Sequence, residues 1–410
     1  MGGSQMASSQ PVRTLDAYPA ERSCPFSPPD DFERLRAEQA LPTVPVLRGQ
    51  RPWLVTRYED AKAVLASPNF SARMDRPGFP LMSATDVQQL RAERPTLIRT
   101  DDPEHLQKRR RLTRDFTVKR INALEPEIQR IIDETIDDLL RVGGPADLVS
   151  ELALPVPSRV ICLLLGVPYE QHEFFQRKSA QALAGRSGVD DVAAALGELG
   201  EYLGELADAK RRAPQQDLFS RLVQELHVPG IVDRGELIDT AMTLLIAGFE
   251  TTSNMIGLGV AALLCHPDQL EVFLAGDRAL QENAVEELLR YLSIAQHPRQ
   301  FVAVADTQVG NTLIRAGEGV LISLPSANRD PAAFADADVL DLRRPARHHL
   351  AFSYGTHQCL GQALARRELL LTYRTLFTRV PSLRLVDPVE EFDLKSHTRV
   401  HGFNSLNVTW

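Results

Sequence analysis

A cysteine framed by glycines carries the sharpest chemical signal in the sequence. Cys359 lies in Phe352-Ser353-Tyr354-Gly355-Thr356-His357-Gln358-Cys359-Leu360-Gly361, and a strongly helical pattern opens directly after it. A cysteine at a helix N-terminus meets backbone N–H donors and the positive end of the helix dipole, and both favour the thiolate. Gly355 and Gly361 allow a tight loop and a close approach of backbone to a bulky partner. Such a thiolate serves as a nucleophile or as the axial ligand of haem iron. A lone cysteine is usually an inert buried one. The glycine–histidine–cysteine–glycine frame turns the reading toward chemistry.

Three further constellations accompany it. Ala247-Gly248-Phe249-Glu250-Thr251-Thr252 puts an acid beside two hydroxyls inside an apolar helical run. That pair can pass protons into a dry site, and Gly248 would let a flat ligand approach the backbone. The plainer reading is a buried ion pair with threonines bonded to their own helix. Glu287 and Arg290 share a helix face at i,i+3, although Glu286 could pair with Arg290 equally well. His105 and Arg109, four apart, present two donors suited to carboxylates. Lys108, Arg110, Arg111 and Arg114 add positive charge around them. That face serves as a solvated surface, as a cradle for an anionic cofactor group, or as a dock for an acidic protein.

The elements that must position these residues are readable from pattern. Thr240–Cys265 carries one charge, Glu250, and is long enough to span a bilayer. A charge at mid-bilayer is costly, so a long helix through the middle of a soluble fold is expected. The sequence predicts further helices over Val118–Val142, Ala279–Leu292 and Gln362–Phe377, and Pro155–Leu165 reads as an apolar segment. Asp102-Pro103-Glu104 reads as a helix start, with Asp102 as cap and Pro103 in the first turn. Helices between 170 and 230 are broken at Gly185–Gly188 and Arg212–Pro214. Strand-like pieces are Trp53–Thr56, Phe301–Val304, Val320–Ile322, Leu383–Val386 and Leu406–Thr409, and Ser71–Arg99 reads as a loop or binding lid. Gly257-Leu258-Gly259 with Ala262 imitates a dinucleotide fingerprint, but it sits inside a helical run rather than after a strand.

Composition bounds the class. The 410 residues are 43% hydrophobic and 24% charged, which is a globular composition. A net charge of −8 argues against a nucleic-acid binder. The four cysteines form no CxxC pair, which excludes a zinc site built on such pairs and fits a reducing, cytoplasmic compartment. No signal peptide is apparent. Residues 1–10 read as a disordered tail or tag remnant and 11–410 as one mainly α domain with a small β part.

Taken together, the His-x-x-x-Arg helix, the acid–threonine helix, the Glu-x-x-Arg pair and the cysteine loop, in that order, resemble the cytochrome P450 superfamily of haem-thiolate monooxygenases. The resemblance runs from about Cys24 to Trp410. Arg347-His348-His349-Leu350-Ala351-Phe352 and the ending Asn407-Val408-Thr409-Trp410 are similar to the soluble actinobacterial branch that tailors natural products. The resemblance implies haem b, buried between the central helix and the cysteine loop, with Cys359 as the proximal iron ligand. It implies that His105, Arg109 and His357 bind the haem propionates and that Gly248, Phe352 and Gly361 contact the cofactor. Glu250 and Thr251 become the acid–alcohol pair that delivers protons during oxygen activation, and Glu287, Arg290 and Arg344 a structural ion-pair triad.

Two positions depart from the family pattern. Ser353 stands where a second glycine is usual. Phe301 occupies the usual place of a propionate arginine, which leaves Arg299 as its replacement. The implied reaction uses O2 and electrons from a separate ferredoxin and its reductase, with Arg110 and Arg111 steering the ferredoxin. It hydroxylates or epoxidises a bulky natural product such as a macrolide or other polyketide, or performs an atypical oxidation such as ring closure, methylenedioxy formation or coupling. Pocket walls are expected at Arg76–Arg99, Leu183–Val192, Leu244, Ile294–Phe301 and Phe403-Asn404. Two rivals are a hydrolase using Cys359 and His357 as nucleophile and base, and a non-catalytic haem-binding sensor.

Overall fold

The computed structural model describes residues 22, 24–38, 40–91, 94–183, 188–395 and 398–410. The tail expected at residues 1–10 and the break at Gly185–Ser187 lie outside these residues. In chain order the α-helices are α1 (Asp31–Ala37), α2 (Tyr58–Ala66), α3 (Ala84–Arg91), α4 (Glu104–Thr113), α5 (Val118–Val142), α6 (Pro155–Leu165), α7 (His172–Leu183), α8 (Val189–Arg212), α9 (Leu218–Leu222), α10 (Arg234–Cys265), α11 (Pro267–Ala275), α12 (Arg278–Leu292), α13 (Leu324–Ala327) and α14 (Gln362–Arg379). The strands are β1 (Trp53–Val55), β2 (Phe70–Ser71), β3 (Ala146–Asp147), β4 (Arg299–Ala303), β5 (Thr307–Val309), β6 (Thr312–Ile314), β7 (Gly319–Ile322), β8 (Arg384–Leu385) and β9 (Asn407–Thr409).

Long helices build the core because their sequences carry broad apolar faces. α5 buries Ile121, Ile128, Ile131, Ile132, Ile136 and Leu139 on one side. α6 stops where Gly166 takes a left-handed conformation, φ 72°, which only a residue without Cβ adopts cheaply. α10 starts where the Asp233 side chain accepts the Glu236 amide at 2.8 Å. It then runs through the core, with most of its apolar stretch buried in the fold rather than laid bare as for a bilayer. Its glycines serve close packing. A Cβ at Gly259 would stand 2.1 Å from the Tyr373 hydroxyl of α14, and that hydroxyl donates to the Met255 carbonyl at 2.5 Å. The Gly257/Gly259 pair is therefore a helix-packing feature, as its helical setting predicts.

The β part is small and lies beside the helical core. One sheet has the order β1-β7-β4-β2, with β1 parallel to β7 and the other pairs antiparallel. The second has the order β3-β9-β8, and β5 and β6 form a separate hairpin. Two sequence expectations need correction. The weak stretch Ser71–Arg99 contains a helix, α3, pinned by buried polar contacts at Thr85 and Asp86 together with Val87 and Leu90 packed on a small apolar cluster. Pro103 precedes the first turn of α4 instead of lying within it, while Asp102 Oδ1 still accepts the Leu106 amide at 3.1 Å.

Candidate active site

The loop that carries Cys359 folds back on itself before α14. The Cys359 N–H donates to the Phe352 carbonyl at 2.8 Å, and the Gln358 N–H to the Gly355 carbonyl at 3.1 Å. Gly355 has φ 72°, and a Cβ there would fall 2.4 Å from the Leu65 carbonyl oxygen. Ser353 also takes a left-handed conformation, φ 64°, so the departure from the usual glycine is tolerated at a conformational cost. Burial pushes the Cys359 thiol up. The Gly361 amide and the cations Arg299, Arg109 and Arg366 draw it the other way. The side chain is enclosed by protein yet retains accessible area, so it faces an internal space.

Around that space the structure gathers donors. The His105 and His357 rings lie 4.1 Å apart, and Phe301 packs edge-on to His357 at 6.4 Å. His105 Nδ1 sits 3.3 Å from Asp102 Oδ1. Burial, then His105 and Arg299, pull His357 down to about 3, so its ring is neutral at pH 7. Arg109 and Arg299 both feel Cys359, and neither forms an ion pair with a carboxylate among the described residues. Arg299 Nε is buried with no hydrogen-bond partner. A strand alternates its faces, so Arg299 and Phe301, two apart on β4, share one face. Arg109 is half-buried and Arg299 is enclosed, and an enclosed guanidinium without an anion is costly unless a ligand completes it. A thiol and a cradle of donors short of two anions fit a haem with two propionates.

α10 supplies the opposite kind of chemistry. Thr240, Thr243, Leu244, Ala247 and Thr251 keep accessible area at helical spacing, as do neighbours such as Ile238, Met242 and Ile246 in the same half of the helix, whereas Thr252–Leu263 is buried. Thr251 Oγ1 donates to the Ala247 carbonyl at 2.9 Å, which leaves its lone pairs free to accept. Glu250 is 7% exposed, and its Oε2 has no partner. Among the described residues its ionic neighbour is Lys395, 3.9 Å from Oε1. Burial raises the Glu250 carboxyl and Lys395 lowers it. A Cβ at Gly248 would meet Ile161 Cδ1 of α6 at 2.7 Å, so this glycine lets α6 pack closely on α10.

The predicted ion-pair triad is assembled and wholly buried at its centre. Arg290 Nε and Nη2 reach Glu287 Oε2 and Oε1 at 2.7 and 2.8 Å. Arg344 Nε lies 3.1 Å from Glu287 Oε1. Glu286 does not pair with Arg290; it faces His349 and Arg366 instead. Arg111 is likewise no free steering charge, since it pairs with Glu236 of α10 at 2.6 Å, whereas Arg110 stays exposed and makes no ion pair among the described residues. Sequence reasoning missed Lys395, Arg366 and a buried hub at Asp86. The last joins α3 to Arg399 at 3.1 Å, Arg99 at 3.6 Å and Gln300 Nε2 at 2.9 Å. The hub's members lie far apart in the chain, and no local motif marks them.

Comparison with known proteins agrees with this geometry. The family model described as Cytochrome P450 matches residues 276–380, the segment that holds Glu287, Arg290 and Cys359. The chain is 47% identical to Cytochrome P450-SOY of Streptomyces griseus over 394 residues, 96% of this chain and 95% of that protein. The crystal structure of mycinamicin VIII C21 methyl hydroxylase from Micromonospora griseorubida superposes with a TM-score of 0.91 at 39% identity, covering 97% of this chain and all of the other. Cytochrome P450 MoxA from Nonomuraea recticatena gives 0.88 at 46% identity, covering 97% and 98% of the two chains. The fold and these relatives define a haem-thiolate monooxygenase. The chain belongs to the cytochrome P450 family, with the family's haem-thiolate cofactor, its need for electrons from redox partners and its action on a small molecule. The hydrolase reading fails: the His357 ring packs against His105 and Phe301, and no hydrogen bond joins it to Cys359.

Proposed function

We propose that this enzyme inserts one atom of O2 into a bulky natural product, a macrolide or another polyketide, by hydroxylation or epoxidation. The observation that carries the reading is the enclosed, anion-poor cradle of Arg109, Arg299, His105 and His357 beside Cys359. In this reading Cys359 holds the iron, with Phe352 and Gly361 shaping its loop. Arg109, Arg299 and the neutral donors His105 and His357 hold the propionates. When bound, the haem supplies the oxygen-activating redox chemistry, and the thiolate pushes electron density toward O–O cleavage. Thr251 holds a proton donor at its Oγ1, on the half of α10 that keeps accessible area. Glu250, buried and one residue away, supplies that proton from a carboxyl whose ionisation Lys395 controls. The Glu287–Arg290–Arg344 network fixes α12 to the coil that precedes the cysteine loop.

The substrate class is supported by relatives whose names state their substrates, among them the mycinamicin VIII hydroxylase at 40% identity over 96% of this chain. An atypical oxidation has one supporting observation: a putative thioether synthase from griseoviridin tailoring has a TM-score of 0.91 at 35% identity. The electron donors are a separate ferredoxin and its reductase, the ferredoxin meeting the exposed Arg110, and the enzyme works in the cytoplasm. The test is a screen of macrolides and other polyketides for a haem spin-state shift, followed by turnover of each binder with a surrogate ferredoxin and reductase. A product heavier by one oxygen supports oxygenation. A product lighter by two hydrogens indicates oxidative ring closure or coupling, and a shift without any product overturns both.

A further inference from the structure

α12 carries two adjacent carboxylates with separate partners. Glu287 belongs to the network with Arg290 and Arg344, while Glu286 faces the cysteine loop. Arg366, in the first turns of α14, donates Nε to Glu286 Oε1 at 2.7 Å and Nη2 to Oε2 at 3.1 Å, a bidentate pair. His349 Nε2 donates to the same Oε2 at 3.0 Å, and His349 Nδ1 accepts the Ala351 amide at 3.1 Å. An accepting Nδ1 carries no proton, so the ring is neutral with its one N–H on Glu286. The Arg366 guanidinium stacks over the Phe352 ring, 4.5 Å from its centre, and Nη1 is held by Gln362 Oε1 at 2.8 Å. Phe352 in turn accepts the Cys359 N–H at 2.8 Å. One carboxylate therefore ties α12 to both flanks of Phe352 and, through it, to the cysteine.

The charges of this cluster sum to zero: Glu286 is negative, Arg366 positive and His349 neutral. Arg366 is among the cations whose field reaches Cys359, together with Arg299 and Arg109. Because Glu286 is buried, its charge is poorly screened, and so is the charge left behind when either partner is removed.

We propose that Glu286 and Arg366 form a charge-balanced brace that positions the Cys359 loop and sets the electrostatic potential at its sulfur. Both are positioning residues, and the proposal rests on Cys359 being the iron ligand. Losing Arg366 leaves a negative charge near the sulfur and disfavours addition of an electron to the haem site. Losing Glu286 leaves a positive charge and favours it.

The test is a redox titration of the haem-loaded protein at fixed pH, with haem content and the carbon monoxide spectrum recorded for each variant. Arg366→Met is expected to lower the reduction potential and Glu286→Gln to raise it, with the double variant returning toward the wild-type value. Shifts of the same sign, or none, overturn the brace, because loosened packing alone has no reason to reverse sign between partners. Where Glu286→Gln fails to fold, Arg366→Lys serves instead. It keeps the charge and loses the bidentate geometry, so its potential stays at the wild-type value while a larger share of the carbon monoxide complex loses its thiolate band. A potential that moves as far as in Arg366→Met overturns the charge argument. A wild-type protein that shows no thiolate band overturns the ligand assignment instead, before any variant is compared.

Discussion

Burial and Lys395 act in opposite directions on the Glu250 carboxyl. Glu250 is a desolvated carboxyl with Lys395 as its cationic neighbour among the described residues, and desolvation favours its protonated form. Removing the cation strengthens that preference. Lys395→Met should move the limb of the turnover–pH profile that reports Glu250 to higher pH, and Lys395→Arg should leave it in place. A profile unmoved by Lys395→Met would show that the ammonium does not act on Glu250. Ser353 offers a second test at a single residue. Its left-handed backbone and its buried Oγ without a hydrogen-bond partner both cost stability. Ser353→Gly should raise stability by about 1 kcal/mol, read as a higher midpoint of thermal unfolding with the haem spectrum unchanged. Cys359, His357 and Thr251 were legible in the sequence because their chemistry is framed by immediate neighbours. Lys395 and Arg366 were not, because a lysine or arginine shows its purpose only when folding brings its carboxylate to it.

Helices were legible where a local stop or start decides them. α5 has the bounds its sequence predicts, and the apolar segment Pro155–Leu165 is the helix α6, with Gly143 and Gly166 ending the two apolar faces. α3 was missed because much of its anchoring is polar and long-range. Burial alone would push the Asp86 carboxyl up, but Arg399, His297, Arg99 and the Met82 amide together hold it well below the usual carboxylate range. A depressed carboxyl stabilises the fold above its unfolded value, near 4, and that stability is lost as pH falls toward the folded value. Asp86→Asn leaves Arg99 and Arg399 uncompensated and should cost about 3–5 kcal/mol at pH 7. The gap from the wild type should narrow below about pH 4, as seen by denaturant titration at several pH values. A gap independent of pH would mean that Asp86 acts through packing alone. Gly248 has a packing role that was hidden for a related reason: its neighbour Ile161 comes from another helix, and only the packing of α6 on α10 shows what the missing side chain makes room for.

At the scale of the molecule, the fold brings one thiol and a cradle of His105, Arg109, Arg299 and His357 together from segments far apart in the chain. The class of the protein was legible because the order of these motifs is itself a signature. The substrate was not, because substrate pockets are shaped by side chains that carry no motif. The central claim is that Cys359, held by its loop and the surrounding cations, ligates haem iron as the thiolate. The most direct measurement is the absorption spectrum of the haem-loaded protein, reduced and then exposed to carbon monoxide, beside that of Cys359→Ala. The account predicts a strongly red-shifted Soret band that disappears in the variant. A haem spectrum without that shift in the wild type, or a shift that survives Cys359→Ala, would contradict it.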